Sequence, residues 1–486
     1  MIKQKSLAEN SVFFAAYRFL NVIYPLVTVA YVSRIIFANG VGRIASAINI
    51  AQYFVYIAAL GIPNYGIREI AKNRDTRDGI NKLFTELFII NAISTGLATL
   101  CYYFYINVET RFSGDYYLYI IAGVMVIINF FNVDWVYQGQ EQFSYIMIRN
   151  FVVKIISLLC IITFVHEKDD YLTYAIIYVG GYTGNNIINC IHLKRNGIKL
   201  VFNDLEFKIH LKPIFIMLCT TVAIELYTMV DTTMLTFLGN PEVVGYYSNA
   251  IKTVKVLVSL ITSICVVLLP RLSYYFGIGQ LGICEDIVNR TIKVLIFFLL
   301  PCFAGFFLVT DSIVPVLFGN DFLPAVTTTR ILSFLIPVLG FSSLFGTQIL
   351  LTFNKESNLL ISTMVGAAIN ITLNTLLIPG LLQNGAAIAS VASELVVTIL
   401  TLFFAKKALT IRFSYKNIFK SFISTLMMAA SVLPFGFVSC GHLQRLAFQI
   451  LIGFFVYVST GFLLHNETLY EIVALIKKVL TRKQYD

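Results

Sequence analysis

A chain of 486 residues, 58% of them hydrophobic and only 13% charged, has too few polar groups to cover a water-soluble globule. Its net charge of +10 does not point to nucleic acid, because Lys and Arg gather in alternate polar connections between long apolar runs. The composition places the chain in lipid.

Apolar runs of roughly 20 residues, the length that crosses a bilayer, begin at Ser11, Val41, Leu83, Tyr117, Ile146, Leu172, Pro213, Gly245, Thr291, Val326, Leu359, Ala386, Ser421 and Leu446. They are twice as long as a barrel strand and lack its in–out alternation, so they predict an all-α integral membrane protein of about fourteen transmembrane helices. The segment Met1–Asn10, with Lys3 and Lys5, reads as an uncleaved N-terminus.

In chain order, the first charge in an apolar run is Arg18, about 10 Å deep and beside Tyr17 and Asn21. A cation there fits a wet cavity better than lipid. Arg34 lies near the far end of the same run, where a cavity role and snorkelling to the interface are equally compatible with its position. Basic clusters at Arg68–Lys82, Lys194–Lys212 and Lys406–Lys420 mark one side of the membrane as cytoplasmic, with both termini on it.

Asp134 lies toward the cytoplasmic end of the fourth run, and Arg149 and Lys154 in the fifth read either as its partners or as interfacial anchors. Asn185, Asn186 and Asn189, after Gly180-x-x-x-Gly184, read as helix-packing groups, as do Asn370 and Asn374. Glu225 and Glu394 lie well inside runs, where a carboxyl group serves either charge pairing or reversible binding of H⁺ or Na⁺.

The sharpest constellation flanks the turn at Gly239–Val244, with Asp231 before it and Lys252 and Lys255 after it. The charges lie roughly 10–15 Å along their helices from that turn. Lys252 and Lys255 share a helix face, which Asn249 and Ser259 extend into a polar stripe. Two readings stand: the lysines hold a polyanion such as a phosphate group, or Asp231 neutralises Lys252 and braces the hairpin.

Aligning the second run on the eighth pairs Gly42 with Gly245, Ala47 with Ala250, Ile48 with Ile251 and Arg68 with Arg271 without a gap, as a parallel six-plus-six duplication requires. The division expected is 1–212 for one six-helix bundle with its following loop, 213–405 for a second, and 406–486 for two extra helices and a cytoplasmic tail, in which Glu471–Leu480 reads as a stop-transfer flank rather than an amphipathic surface helix. Eight cysteines without a C-x-x-C pair and five scattered histidines suggest no metal site and no cofactor. There is no P-loop and no H-E-x-x-H, and the outward turns are too short to build an enzymatic pocket, so no catalytic residue is assigned.

Several segments resemble the polysaccharide and oligosaccharide flippases (Wzx-like) of the multidrug/oligosaccharidyl-lipid/polysaccharide exporter superfamily. They are Ala30-Tyr-Val-Ser-Arg-Ile35, Leu60-Gly-Ile-Pro-Asn-Tyr-Gly-Ile-Arg-Glu-Ile-Ala-Lys72, Asp134-Trp-Val-Tyr-Gln-Gly139, Asp231-Thr-Thr-Met-Leu235 leading to Val244-Gly-Tyr-Tyr247, Leu269-Pro-Arg-Leu-Ser273, and Gly385-Ala-Ala-Ile-Ala389 with Glu394. The resemblance implies two six-helix bundles across a V-shaped cavity, with two further helices outside. It also implies a bacterial inner-membrane protein that moves an undecaprenyl-pyrophosphate-linked oligosaccharide, an O-antigen or capsule unit, to the outer leaflet, alongside glycan-assembly proteins. Cavity cations are common in that group. Of Arg18, Arg34, Lys252 and Lys255, the shared motifs cover Arg34, and the others rest on depth and chemistry. A cation-coupled multidrug antiporter of the same architecture would favour acidic cavity residues over this basic set; a glycan ligase or polymerase would need a substantial outward loop.

Overall fold

Every regular element among the described residues is a helix, as a chain that must satisfy its own backbone in hydrocarbon requires. The computed structural model describes residues 7–73, 76–195, 197–266, 268–438 and 440–482. Side chains are described from Ile23 to Ala474, apart from residues 194–195, 220, 223–224, 226, 264, 266, 269–270 and 437.

The chain forms two units, Met1–Gly245 and Tyr246–Asp486. The first holds α1 (Leu7–Ala59), α2 (Ile62–Asn73), α3 (Arg77–Val108), α4 (Tyr116–Ile128), α5 (Asp134–Gly139), α6 (Phe143–Phe164), α7 (Tyr171–Arg195), α8 (Lys208–Leu238) and the start of α9 (Pro241–Val266). The second holds the rest of α9, then α10 (Leu268–Gly277), α11 (Leu281–Phe318), α12 (Ala325–Leu332), α13 (Leu335–Ser342), a π-helical stretch (Ser343–Leu350), α14 (Glu356–Ala408), α15 (Tyr415–Val432), α16 (His442–Leu463) and α17 (Glu467–Arg482). Among the described residues nine helical stretches are long and apolar enough to cross a membrane. Helices α7, α8 and α9 add rods of 25, 31 and 26 residues.

Helices α1 and α14 each run for 53 residues, about 80 Å if straight and far beyond the roughly 30 Å of hydrocarbon. Each is broken at one residue. Phe37 takes φ 56° and ψ −177°, and Leu382 takes φ 49° and ψ −126°. Positive φ at a bulky side chain costs on the order of 1–3 kcal/mol, so the bilayer's thickness, not local preference, sets these breaks. In α14 the halves fold back on each other: Asn370 donates a hydrogen bond to Ser393, 23 positions along the chain. On a straight helix that separation would be about 34 Å. Asn374 in turn donates to Asn370 at 3.0 Å, so the pair does pack helices.

In the first unit α1 lies against α3, α4, α6 and α8. Where α1 meets the start of α9, Gly42 and Gly245 pack face to face. A Cβ on Gly42 would collide with the Pro241 carbonyl, and one on Gly245 with the Ala38 carbonyl. The two glycines that the sequence alignment pairs are therefore also neighbours in space.

The segment between α7 and α8 is tied to α3 by buried side chains. Asn81, Thr85 and Glu86 accept the backbone N–H groups of Lys199, Val201 and Glu206 at 3.1, 3.0 and 2.7 Å. His210 Nε2 meets Glu86 Oε2 at 2.8 Å, while its Nδ1 meets the Tyr65 hydroxyl at 2.8 Å. Glu86 and His210 are only 2% and 3% exposed, so this contact gives two costly polar groups their partners.

In the second unit α15 and α16 pack on α11 around Phe297, Val309, Met428, Val432 and Tyr457, and Tyr457 donates to the Phe297 carbonyl at 2.7 Å. Their outer faces, like that of α6, stay apolar and exposed, as a lipid-facing surface requires.

Replacing Gly42 or Gly245 by leucine is expected to lower membrane yield and destabilise the purified protein by about 1–3 kcal/mol or more through overpacking. Thermal unfolding in detergent measures it; wild-type behaviour of both variants would contradict the close approach.

Candidate functional site

Charged and polar side chains gather in three places, two in the first unit and one in the second. The first is a seam between α1 and α8. Its length comes from helical spacing: Ser46, Asn49 and Tyr53 recur on one face of α1, and Thr233 and Thr236 on one face of α8. Asn49 donates to Thr233 at 2.6 Å, Tyr53 shares a hydrogen bond with Thr233 at 2.7 Å, and Thr236 donates to Ser46 at 3.0 Å. Asp231 is buried at this seam, 7% exposed, within electrostatic reach of Tyr53. Glu225, two turns earlier on α8, is half-buried beside Tyr56 and accepts from the Thr228 hydroxyl at 3.2 Å. Arg34 is exposed on α1. Arg18 also lies in α1, but its side chain is outside the described residues.

The second place centres on Arg149. Its guanidinium grips Asp134 with both terminal nitrogens, at 2.8 and 3.2 Å, and its Nε donates to Asn185 at 3.0 Å. Asn189 accepts from Arg149 and donates to Asp134. The Tyr145 ring lies under the guanidinium at 5.7 Å. With the Arg149 side chain 3% exposed and that of Asp134 28%, this is an ion pair at the edge of the protein interior. Of the two roles open to Asp134, the geometry supplies the charge pairing.

Beside that pair opens a cavity of about 370 Å³. It is lined by Asn129, Asn132, Asn150, Asn185 and Asn186, by Tyr24, Tyr178 and Tyr182, and by Lys154 and Asp134. The Lys154 ammonium sits 5.5 Å from the centre of the Tyr24 ring. Gln52 donates to the Tyr182 hydroxyl at 3.4 Å, which links the cavity wall to the polar face of α1. The sequence predicts Asn185, Asn186 and Asn189 together as packing groups. Asn189, fully buried, packs; Asn185 and Asn186 line the cavity.

The third place is α9 in the second unit. Tyr247, Ala250, Thr253, Val254, Val258 and Ile261 form its buried face, and Tyr247 fastens it to α14 through Ser390 at 2.8 Å. Lys252, Lys255 and Ser259 lie on the opposite, exposed face. Among the described residues neither lysine forms an ion pair within its own unit. Asn249 does not extend that stripe as its spacing suggested, because it is 1% exposed and belongs to the buried face. Glu394, half-buried, follows Ser390 by one turn of α14. Asp231 falls in the first unit and the two lysines in the second.

Among the described residues no group of His, Cys, Asp and Glu could hold a metal ion. Exposed ammonium groups and carboxamide-lined walls favour binding of anions and hydroxyl-rich molecules.

Residues 7–276 match the model of a family described as "Polysaccharide biosynthesis protein". The "Putative O-antigen transporter" of Escherichia coli (strain K12) is 24% identical over 409 residues, 82% of this chain and 97% of that protein. Among solved structures, a lipid II flippase MurJ in an inward closed conformation superposes with TM-score 0.75 at 16% identity, over 94% of this chain and 98% of that one. An inward-facing multidrug resistance transporter of the MATE family superposes with TM-score 0.62 at 12% identity, over 82% of this chain and 97% of that one. These two likenesses establish the two-bundle transporter fold.

Arg149→Met is expected to destabilise the protein by on the order of 3–5 kcal/mol, since it strands a partly buried carboxylate. The double variant Arg149→Met with Asp134→Leu should recover most of that loss. Thermal unfolding of the three proteins decides; additive losses would show that the pair is not coupled.

Proposed function

Since the chain belongs to the polysaccharide biosynthesis protein family, within the multidrug/oligosaccharidyl-lipid/polysaccharide exporter superfamily, we propose that it moves an undecaprenyl-pyrophosphate-linked oligosaccharide from the inner to the outer leaflet of a bacterial inner membrane. The family supports flippase-type transport. The observation that carries this reading is the exposed pair Lys252 and Lys255 on α9.

A lysine at the centre of a spanning helix costs about 2.5–3.5 kcal/mol if it faces lipid. Two on one face are tolerated where water or an anion meets them. The pyrophosphate of a lipid-linked glycan supplies that anion, and ammonium groups hold phosphate as mobile point charges. Arg34 and Arg18 on α1 of the first unit are separate candidate phosphate-binding cations. The prenyl chain stays in lipid, and alternating access carries the wet headgroup across. Both termini are cytoplasmic in this reading, so the headgroup enters from the side where it is made.

Asp231, Glu225 and Glu394 are the carboxylates available to bind H⁺ or Na⁺ during the cycle. Asp134 is read as a bracing group instead, because both terminal nitrogens of Arg149 already hydrogen-bond to it. A multidrug antiporter shares the fold, but a binder of organic cations would place carboxylates where this chain exposes two lysines.

Lys252→Ala and Lys255→Ala, singly and together, are expected to abolish surface glycan while membrane protein levels stay unchanged. Glycan staining with immunoblotting of the same membranes reads both; normal glycan in the double variant would refute the lysine site.

A further inference from the structure

We infer that the foot of α15 binds an anionic phospholipid, whose phosphate sits among Lys293, Lys416 and Lys420 and whose acyl chain follows the helix past Ile423 and Met427. This surface lies wholly within the second unit. It is separate from the lysines of α9 and needs no transport cycle to be occupied.

Helices α11, α15 and α17 converge at this corner. Asn417 of α15 donates to Glu467 of α17 at 2.8 Å, Asn466 donates to the Ser421 hydroxyl at 3.0 Å, and Lys420 donates to the His465 carbonyl at 2.7 Å. Lys293 of α11 lies within electrostatic reach of Glu467, as do Lys416 and Lys420. The Asn417 hydrogen bond, reinforced by those three ammonium groups, holds the Glu467 carboxyl below the usual carboxylate range. Three cations thus share one ionised carboxylate, while the neighbouring Arg290 is already matched by Glu471 at 3.1 Å. The corner stays positive. Among the described residues Lys293 and Lys416 make no hydrogen bond and no close ion pair, so both ammonium groups keep their donors for a ligand.

The helix face narrows the class of anion. Lys416, Lys420, Ile423 and Met427 recur at helical spacing along one side of α15. Lys416 and Met427 are exposed, Lys420 and Ile423 half-buried. Beside them Phe419, Phe422 and Leu426 are 63%, 48% and 52% exposed, an apolar surface that a spanning helix turns to hydrocarbon. Cations in the first turns of such a helix, followed within about 10 Å by apolar side chains, match a molecule that carries phosphate at one end and acyl chains below it. The ammonium groups hold that phosphate as point charges. A zwitterionic lipid brings its own cation into the corner and gains less.

The test uses the full-length protein in a neutral detergent and follows its thermal unfolding midpoint while dioleoyl phosphatidylglycerol or dioleoyl phosphatidylcholine is titrated into the micelles. A saturable rise is expected with phosphatidylglycerol, half-complete at a concentration roughly tenfold or more below that for phosphatidylcholine. Lys416→Gln combined with Lys293→Gln should move that half-point up roughly tenfold or more, at about fivefold per ammonium removed. Lys208→Gln with Lys212→Gln, at exposed lysines of α8 in the first unit, should leave it unchanged. Equal response to the two lipids, an unchanged half-point in the Lys416 and Lys293 variant, or an equal loss in the α8 variant would overturn the inference. Inorganic phosphate reproducing the rise would overturn it as well, since that ion has no acyl chain. Should the double variant fail to purify as a monodisperse protein, Lys416→Gln alone decides by the same half-point.

Discussion

A charge inside hydrocarbon must be answered by an opposite charge, by hydrogen bonds or by water, and the placement of this chain's charges follows from that requirement. Arg149 is answered within the first unit by Asp134, Asn185 and Asn189. Glu86 is answered by His210 and by the Glu206 backbone. Lys252 and Lys255 are handled differently: their helix turns them away from its packed face and leaves them exposed. Fixed pairs brace the first unit, and the exposed pair on α9 is the proposed anion site.

The backbone imposes the second constraint. No segment can leave the helix in lipid without orphaning its N–H and C=O groups, so direction must change within very few residues. The breaks at Phe37 and Leu382 do this at a single residue each. The glycine contact at Gly42 and Gly245 uses the absence of side chains to bring two backbones together, which also lets the polar seam of α1 and α8 close through Thr233 and Thr236.

Much of this was legible in the sequence because its signals are local. Twenty-residue apolar runs reported the helical fold, and motif stretches such as Asp134–Gly139 reported the family. A choice between pairing and coupling for Asp134 was visible, with Arg149 already named as a partner. What failed was whatever depended on packing at a distance. Asn249 lies only about 60° around the helix from Lys252, and the edge of the buried face happens to pass between them. Glu86 and His210 are 124 residues apart and carry no shared spacing. The asparagines of α7 looked alike, yet Asn189 is buried against Arg149 while Asn186 lines a cavity whose other walls come from α1, α4 and α6. Neither break is signalled by proline or glycine at the broken residue, since Phe37 and Leu382 hold positive φ by tertiary demand.

The claim on which the account stands is that the chain's exposed intramembrane cations meet an anionic lipid headgroup. The most direct measurement is the crossing rate, in proteoliposomes of the purified protein, of a fluorescent undecaprenyl-pyrophosphate glycan beside that of a fluorescent organic cation. The account predicts accelerated crossing of the pyrophosphate-linked glycan and none of the cation. Acceleration of the cation alone would contradict it.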